Sequence, residues 1–176
     1  RMGNGVNKVY YSYANDDFTS LETEPELLFE YPGGKSYIDA DITKVGDQYH
    51  MFYVAHDGTP GIKQAVSDRI NGGYQYIPDW VDPEDKACEA PNVWKRIGED
   101  KWVLMYDCYG INPHNFGFME TSDFKSFTSL GRFNEEGGKM KAVNFSIPKH
   151  GAVIWLTKKE AARLEKYWKN KGKDKK

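Results

Sequence analysis

Short runs of apolar and aromatic residues, separated by glycine and polar turns, recur along this chain in a repeating order. One unit opens at residues 37–42, passes a glycine turn and continues with the aromatic run 49–53. The next opens at residues 88–93, passes a second glycine turn and continues with the apolar run 102–106. A repeat of about fifty residues made of short strands is typical of β-propellers. The pattern therefore predicts an all-β propeller fold.

Each unit has the content of one four-stranded propeller blade. The two nearly complete blades are predicted over residues 36–81 and 87–133, each with an inner strand, a tight turn, an aromatic strand, a strand ending in Ser-Asp and an outer strand. Residues 9–21 share their pattern with the third and outer strands at residues 116–130. The chain is therefore expected to open in the middle of an earlier blade.

The C-terminal part follows a different pattern. Residues 134–141 are polar and rich in glycine, which predicts a loop, and residues 142–157 predict two short apolar strands. Thr157 and Glu160 have the spacing of a helix capping box.

Apolar residues at helical spacing follow that box, so a short helix packed on the fold is predicted over residues 158–168. The predicted domain is residues 1–168. The lysine-rich residues 169–176 are predicted to form a disordered basic tail.

Composition and charge argue against two classes of function. The chain has 24 basic and 26 acidic residues, and this near-balance argues weakly against nucleic-acid binding, which usually needs a basic face. No apolar run is long enough to span a membrane. Aromatic residues are abundant, with 12 Tyr, 9 Phe and 5 Trp, which suits both a β-fold core and platforms for sugars. Cys88 and Cys108 could pair, but buried free thiols fit the pattern better.

Carboxylates open the two units. Asp39 and Glu89 stand at what the repeat presents as the same place, so they are expected to converge at one central mouth. Asp41 shares a face with Asp39, because strand residues two apart point the same way. Asp107 follows the second aromatic strand and is a further candidate for the pocket.

Three short segments resemble glycoside hydrolase family 43, the five-bladed propeller enzymes that include arabinofuranosidases, xylosidases and arabinanases. The first resembles the family's Ile-Asp-Ala/Pro segment, the second its Glu-Gly-Pro-x-Val/Ile-x-Lys segment and the third its Arg-His-Gly-x-Val segment. They are YIDADI at 37–42, EAPNVWK at 89–95 and KHGAV at 149–153. Their order and the strands between them also agree, so the resemblance covers residues 8–168.

The resemblance implies roles for the candidate residues. Such enzymes invert the anomeric centre with a general acid and a general base. Glu89 matches the acid, and Asp39 matches the aspartate that holds the acid and modulates its protonation. His150 matches the histidine at the propeller axis, which implies substrate contact and a structural Ca²⁺ nearby, although no cofactor is required. Asp41 is a rival for the role of Asp39, and both Asp41 and Asp107 are predicted to contact substrate.

The chain departs from the family pattern at the general base. In the family this residue lies in an Asp-Pro segment of the first blade, and nothing upstream of Tyr37 matches it. The pair Asp82-Pro83 lies between the two predicted blades, on the wrong side of Asp39. Ala90 also replaces the usual glycine. The chain therefore resembles blades three to five with the end of blade two, to be completed by an upstream part of the same protein or by a second chain.

Two functions follow as hypotheses. The first is the C-terminal part of an inverting glycosidase that acts on arabinose- or xylose-containing polysaccharide, which the family implies to be secreted or periplasmic. The second is a non-catalytic carbohydrate-binding or assembly module made of an incomplete propeller. The retained acid and modulator favour the first hypothesis for a completed protein. The missing base favours the second for the chain alone, which is expected not to hydrolyse glycosides.

Overall fold

The computed structural model describes residues 5–59, 61–143 and 145–171, which form three antiparallel β-sheets and one α-helix. The elements are β1 (Tyr10–Tyr11), β2 (Glu26–Leu27), a 3-10 turn (Pro32–Gly34), β3 (Tyr37–Val45), β4 (Gln48–Ala55), β5 (Ile62–Ser67), β6 (Gln75–Trp80), β7 (Glu89–Lys95), β8 (Trp102–Cys108), β9 (Asn115–Thr121), β10 (Thr128–Arg132) and α1 (Lys158–Lys171). No helix in the described ranges is long and apolar enough to cross a membrane.

The two predicted four-stranded units are confirmed. Strands β3 to β6 form one antiparallel sheet in chain order, here called the first sheet, and β7 to β10 form the second sheet in the same order. The β1–β2 hairpin forms the third sheet. In the segment that connects its two strands, Ala14 and Leu21 form an isolated β-bridge. Residues before β3 are therefore a strand pair, as the sequence predicts.

The second strand of each sheet supplies most of the core, because its alternate side chains point to opposite faces. In β4, Met51 and Tyr53 pack on an aromatic cluster with Phe29 and Tyr37, which joins the first sheet to the chain before it. Phe52 lies on the other face, toward the second sheet. The first sheet is thus covered on both faces.

Strand β8 divides its side chains in the same way. Leu104 and Tyr106 pack with residues of the first sheet, whereas Val103 and Met105 lie in a separate cluster on the far face of the second sheet. The first strands β3 and β7 also lie against each other. The two sheets are therefore neighbours, with their first strands side by side.

The two short strands predicted within 142–157 are wrong. The described residues between β10 and α1 form no strand, and many of their apolar side chains are exposed. These are Val143, Phe145, Ile147, Val153, Ile154, Trp155 and Leu156. An apolar run stays a strand only where a neighbouring strand pairs with its backbone, and the described residues supply no such partner here.

The capping box at the start of α1 is confirmed. Glu160 accepts the backbone N–H of Thr157 at 2.8 Å and donates its own N–H to the Thr157 hydroxyl at 3.2 Å. The predicted packing of this helix on the fold is wrong, since Leu164 is 45% exposed. The helix also continues to Lys171, through three residues assigned to the disordered tail. Residues 172–176 lie outside the described part.

Gly117 generates a prediction about this packing. It faces Tyr106 across the β8–β9 ladder, and a Cβ at this position would lie 2.3 Å from the Tyr106 ring. Gly117→Ala is therefore expected to destabilise the fold by about 3 kcal/mol through overpacking. Gly98→Ala adds a methyl in open space at a φ of +75° and should cost only about 1 kcal/mol. Urea denaturation measures both, and equal losses would contradict the steric explanation.

Candidate active site

A β-bulge marks the start of each first strand. The register of β3 against β4 shifts between Ile38 and Asp41, where two residues of β3 lie opposite one residue of β4. The register of β7 against β8 shifts in the same way between Glu89 and Asn92. Each bulge contains a residue with positive φ, Asp39 at 57° and Ala90 at 50°. The two strands therefore begin with the same local backbone geometry.

This geometry corrects the predicted equivalence of the two carboxylates. The residue that corresponds to Asp39 is Ala90, and Glu89 corresponds to Ile38, one position earlier on the strand. The structural repeat is thus offset by one residue from the alignment that equates Asp39 with Glu89. Both strands carry the same bulge, so the offset comes from aligning the two units on their carboxylates, which do not occupy equivalent positions.

Asp39 and Glu89 nevertheless lie together, which confirms that the starts of β3 and β7 are neighbours. The backbone N–H of Ala90 donates to Asp39 Oδ2 at 3.1 Å. One ligand atom each of Asp39, Glu89 and His150 lies within 4.8 Å of the others. The described structure therefore brings three of the predicted site residues to one place.

His150 belongs to the segment 149–157, here called the C-terminal arm. Its φ is +43°, and three residues later the N–H of Val153 donates to Asn92 Oδ1 at 2.7 Å. A hydrogen bond of the same kind, here called a joint, links the two sheets. In it the N–H of Val93 donates to Asp41 Oδ2 at 2.8 Å. The start of the arm therefore repeats the start of β7, and His150 stands at the position of Ala90.

Glu89 lies between two positive groups of the arm. Its Oε1 is 2.8 Å from His150 Nε2 and 3.8 Å from Lys149 Nζ. The hydrogen bond to Glu89 raises the pKa of His150, and the nearby charges of Asp39 and Asp107 act in the same direction. A protonated His150 donates to the Glu89 carboxylate, so the described arrangement favours an ion pair.

Asp107 is the buried carboxylate of the site. It pairs with Glu89 across the β7–β8 ladder, is fully buried, and neither of its oxygens has a hydrogen-bond partner among the described residues. Burial raises the pKa of this carboxyl, although the backbone amide of His150 faces it and acts in the opposite direction. Gly151 closes the site from the arm, packed on Met105 and Phe116 of the same face.

Asp41 occupies a joint between the sheets rather than an open position. Its two oxygens accept hydrogen bonds from the backbone of Val93 and from the amide of Asn92. Burial raises the pKa of Asp41, against the effect of these two hydrogen bonds. Its contacts are thus structural, and substrate contact by Asp41 stays a prediction.

The cluster of Asp39, Glu89 and His150 offers two carboxylates and one imidazole to a metal ion. Ca²⁺ prefers six or more oxygen ligands, whereas mixed nitrogen and oxygen donors suit Zn²⁺ or Mn²⁺ better. The donor set therefore fits the predicted Ca²⁺ poorly at this cluster. The Ca²⁺ near the axis stays a prediction.

Two contributors to the site were missed in the sequence. Asn92 links Asp41 to the arm through both ends of its amide, and Lys149 adds a positive charge beside Glu89. Aligning the two units at the corrected offset would have shown that Asn92 occupies the position in the second unit that Asp41 occupies in the first. For Lys149 the signal was the segment KHGAV, in which it stands at the arginine of the Arg-His-Gly-x-Val pattern.

The contact between His150 and Glu89 predicts a titration. Since Glu89 raises the pKa of His150, Glu89→Gln should return the His150 pKa toward its ordinary value of about 6.5. NMR titration of the imidazole protons measures the shift. Glu99→Gln, at an exposed turn of the same sheet, is the matched control and should leave the His150 titration unchanged. A His150 pKa that does not change in Glu89→Gln would show that the two side chains are apart in solution.

The burial of Asp107 predicts a pH-dependent gain in stability. Because its folded pKa is raised, the cost of the charged form is absent below about pH 4 and grows as the pH rises through the folded pKa. Asp107→Asn should therefore stabilise the fold at neutral pH by about 1–3 kcal/mol, with the gain vanishing in acid.

Urea denaturation at neutral and acidic pH tests this. The control is Asp123→Asn. Asp123 accepts the backbone N–H groups of Lys125 and Ser126, and removing its negative charge weakens these hydrogen bonds, so this variant should destabilise the fold at neutral pH. Destabilisation by Asp107→Asn at neutral pH would mean that a cation or another partner satisfies the Asp107 carboxylate.

Comparisons with known proteins place the chain in a family. A family model described as "Probable glycosyl hydrolase domain" (Glyco_hydro_43_rel) matches residues 1–162. No curated protein matches the chain.

Two solved structures share the fold. The catalytic domain of the Coprinopsis cinerea GH62 alpha-L-arabinofuranosidase is 14% identical with a TM-score of 0.57, over 75% of this chain and 45% of that one. The GH43 BlXynB protein of Bacillus licheniformis is 19% identical with a TM-score of 0.50, over 86% of this chain and 32% of that one. The chain thus spans less than half the length of either structure. Because the family model covers most of its length, the chain belongs to the family of probable glycosyl hydrolase domains related to glycoside hydrolase family 43.

Proposed function

We propose that this chain supplies the acid side of an inverting glycosidase site that cleaves O-glycosyl bonds in arabinose- or xylose-containing polysaccharide. The observation that carries the proposal is the meeting of Asp39 and Glu89 at the starts of two neighbouring first strands. Glu89 is the general acid, and Asp39 holds and modulates it. Membership of a glycosyl hydrolase family supports the reaction class.

In this proposal the two sheets are blades of a five-bladed propeller. The first and second sheets are blades three and four, the β1–β2 hairpin ends blade two, and the C-terminal arm opens blade five. The joint that repeats from Asp41 to Val93 and from Asn92 to Val153 supports this reading, because a propeller is built by one relation between successive blades. The remaining blades, from upstream in the same protein or from a second chain, would carry the base.

The positions of the side chains suggest how the acid is held. Asp39 Oδ2 is fixed by the N–H of Ala90, the residue next to Glu89, so its negative charge lies beside the acid. A fixed carboxylate beside the acid is the arrangement that the proposed role of Asp39 requires. The fixed amide keeps Asp39 from turning away.

His150 is a group from which Glu89 can receive its proton. Its Nε2 is 2.8 Å from Glu89 Oε1, so a protonated His150 can pass its proton to Glu89 without a large movement. His150 would then hold the proton that Glu89 delivers, which gives it a role at the substrate.

The substrate class rests on the named activity of a structural neighbour. The GH62 neighbour is an alpha-L-arabinofuranosidase, and its likeness to this chain shows the fold alone. Arabinose- and xylose-containing chains are therefore the substrates to test first. Secretion or periplasmic location, which the family resemblance implies, is part of the same proposal.

Glu89→Gln in the longest natural protein that contains this chain is the test. Hydrolysis of arabino- or xylo-oligosaccharides should fall by about 10²–10⁴-fold, because protonation of a poor leaving group is lost. Hydrolysis of 4-nitrophenyl glycosides should be largely spared, since nitrophenolate leaves without a proton. NMR of the product should show an inverted anomeric centre.

Glu99→Gln is the control, because Glu99 is an exposed turn residue of the same sheet. Unchanged oligosaccharide hydrolysis in Glu89→Gln would remove Glu89 from the acid role. If the natural protein binds these oligosaccharides without hydrolysing them or the aryl glycosides, the non-catalytic binding module is the correct function instead.

A further inference from the structure

The two cysteines face each other at the base of the site. Glu89 pairs with Asp107 across the β7–β8 ladder, and the next rung of the same register sets Cys88 opposite Cys108. Their sulfurs are 3.8 Å apart, and both residues are buried and unpaired. Because neighbouring residues of a strand point to opposite faces, the sulfurs lie on the face toward the first sheet and the carboxylates on the other.

Each sulfur also lies beside a hydrogen-bond acceptor outside the pair. Cys108 Sγ is 3.5 Å from Glu84 Oε1, and Cys88 Sγ is 3.5 Å from the carbonyl oxygen of Lys86. Arg132 pairs with Glu84 through two nitrogens and places a positive charge close to Cys108. The Cys108 sulfur thus has a proton acceptor and a cation beside it.

The Cys88 sulfur lacks such support. Its hydrogen bond with Cys108 and its burial raise the pKa of the Cys88 thiol. The cation lies beside Cys108, so we assign the exchange an order in which Cys108 reacts first and Cys88 resolves.

We propose that Cys88 and Cys108 are a redox site that closes to an intrachain disulfide by exchange with a small disulfide such as oxidised glutathione. The Cys108 thiolate attacks one glutathione sulfur, which forms a mixed disulfide and releases the first glutathione thiolate. The Cys88 thiolate then attacks the Cys108 sulfur, which forms the Cys88–Cys108 bond and releases the second. The two cysteine protons end on the two glutathiones, so two thiols are oxidised and one disulfide is reduced.

This bond would link the residue before β7 to the last residue of β8, next to Glu89 and Asp107. It would also close a covalent ring around the β7–β8 hairpin, since the two cysteines are 20 residues apart in the chain. The inference stands on the ladder and the sulfurs and does not depend on the proposed function.

The test compares the folded and the unfolded wild-type chain in one glutathione redox buffer. After equilibration and alkylation, mass spectrometry of peptides gives the ratio of disulfide to dithiol, with the unfolded sample held in concentrated urea. A fold that holds the sulfurs together should favour the disulfide over the urea sample by on the order of a hundredfold, the chain-entropy value for a ring of about this size. The oxidised protein should also resist urea better than the reduced one.

Cys88→Ala and Cys108→Ala are the controls. Each leaves one thiol and should yield at most a single glutathione adduct. A folded-state ratio equal to or below the ratio in urea overturns the proposal, because it shows that the native ladder does not favour the bond. Loss of the far-UV circular dichroism of the fold on oxidation, or a stable glutathione adduct on the wild-type chain, would do so as well.

Discussion

The arrangement of the site depends on one hydrogen bond that is made twice. Strand β7 is the edge of its sheet and the C-terminal arm pairs with no strand among the described residues, so each has backbone N–H groups without a ladder partner. In both cases a side-chain oxygen on the preceding strand accepts one of them, Asp41 from Val93 and Asn92 from Val153. Each joint fixes how far one strand is shifted along the next. That shift decides which side chains meet at the strand starts.

The charges at the strand starts are then set by the fold rather than by each residue alone. Three carboxyl groups lie near one another here, those of Asp39, Glu89 and Asp107. The C-terminal arm places the basic side chains of Lys149 and His150 beside them. Lys149 and His150 lie beside Glu89 and their charges also act on Asp107, but the burial of Asp107 is the larger effect and raises its pKa, and neither of its oxygens has a hydrogen-bond partner among the described residues. A site with this imbalance holds one proton more readily than its separate groups would, which suits acid chemistry.

Much of the fold follows from the sequence because strands repeat their pattern. The alternation of Met51, Phe52 and Tyr53 between two clusters is a property of residue spacing, and so is the pairing of Thr157 with Glu160. The meeting of Asp39 and Glu89 follows from the repeat in the same way.

The failures have physical causes of their own. A strand predicted from apolar residues needs a neighbour for its backbone, and the described residues give the arm none, so Ile154 and Trp155 are exposed. The offset of one residue between Glu89 and Asp39 shows only in the backbone, where the same bulge opens both strands. Glycine is the residue that most often marks a positive φ in a sequence. Here the positions are held by Asp39, Ala90 and His150.

The positive φ of these three residues lowers the stability of the fold. An L-residue with positive φ is strained by about 1–2 kcal/mol, less for aspartate, which can bond its own backbone, and fully for alanine. Ala90 has no polar side chain to offset the strain, yet its N–H points at Asp39 Oδ2 because of that conformation. Strain of this kind persists where the surroundings determine the conformation, and here the bulge pairing and the Val93 joint do so on both sides. The same backbone turn that costs stability at Ala90 therefore holds the Asp39 carboxylate beside Glu89.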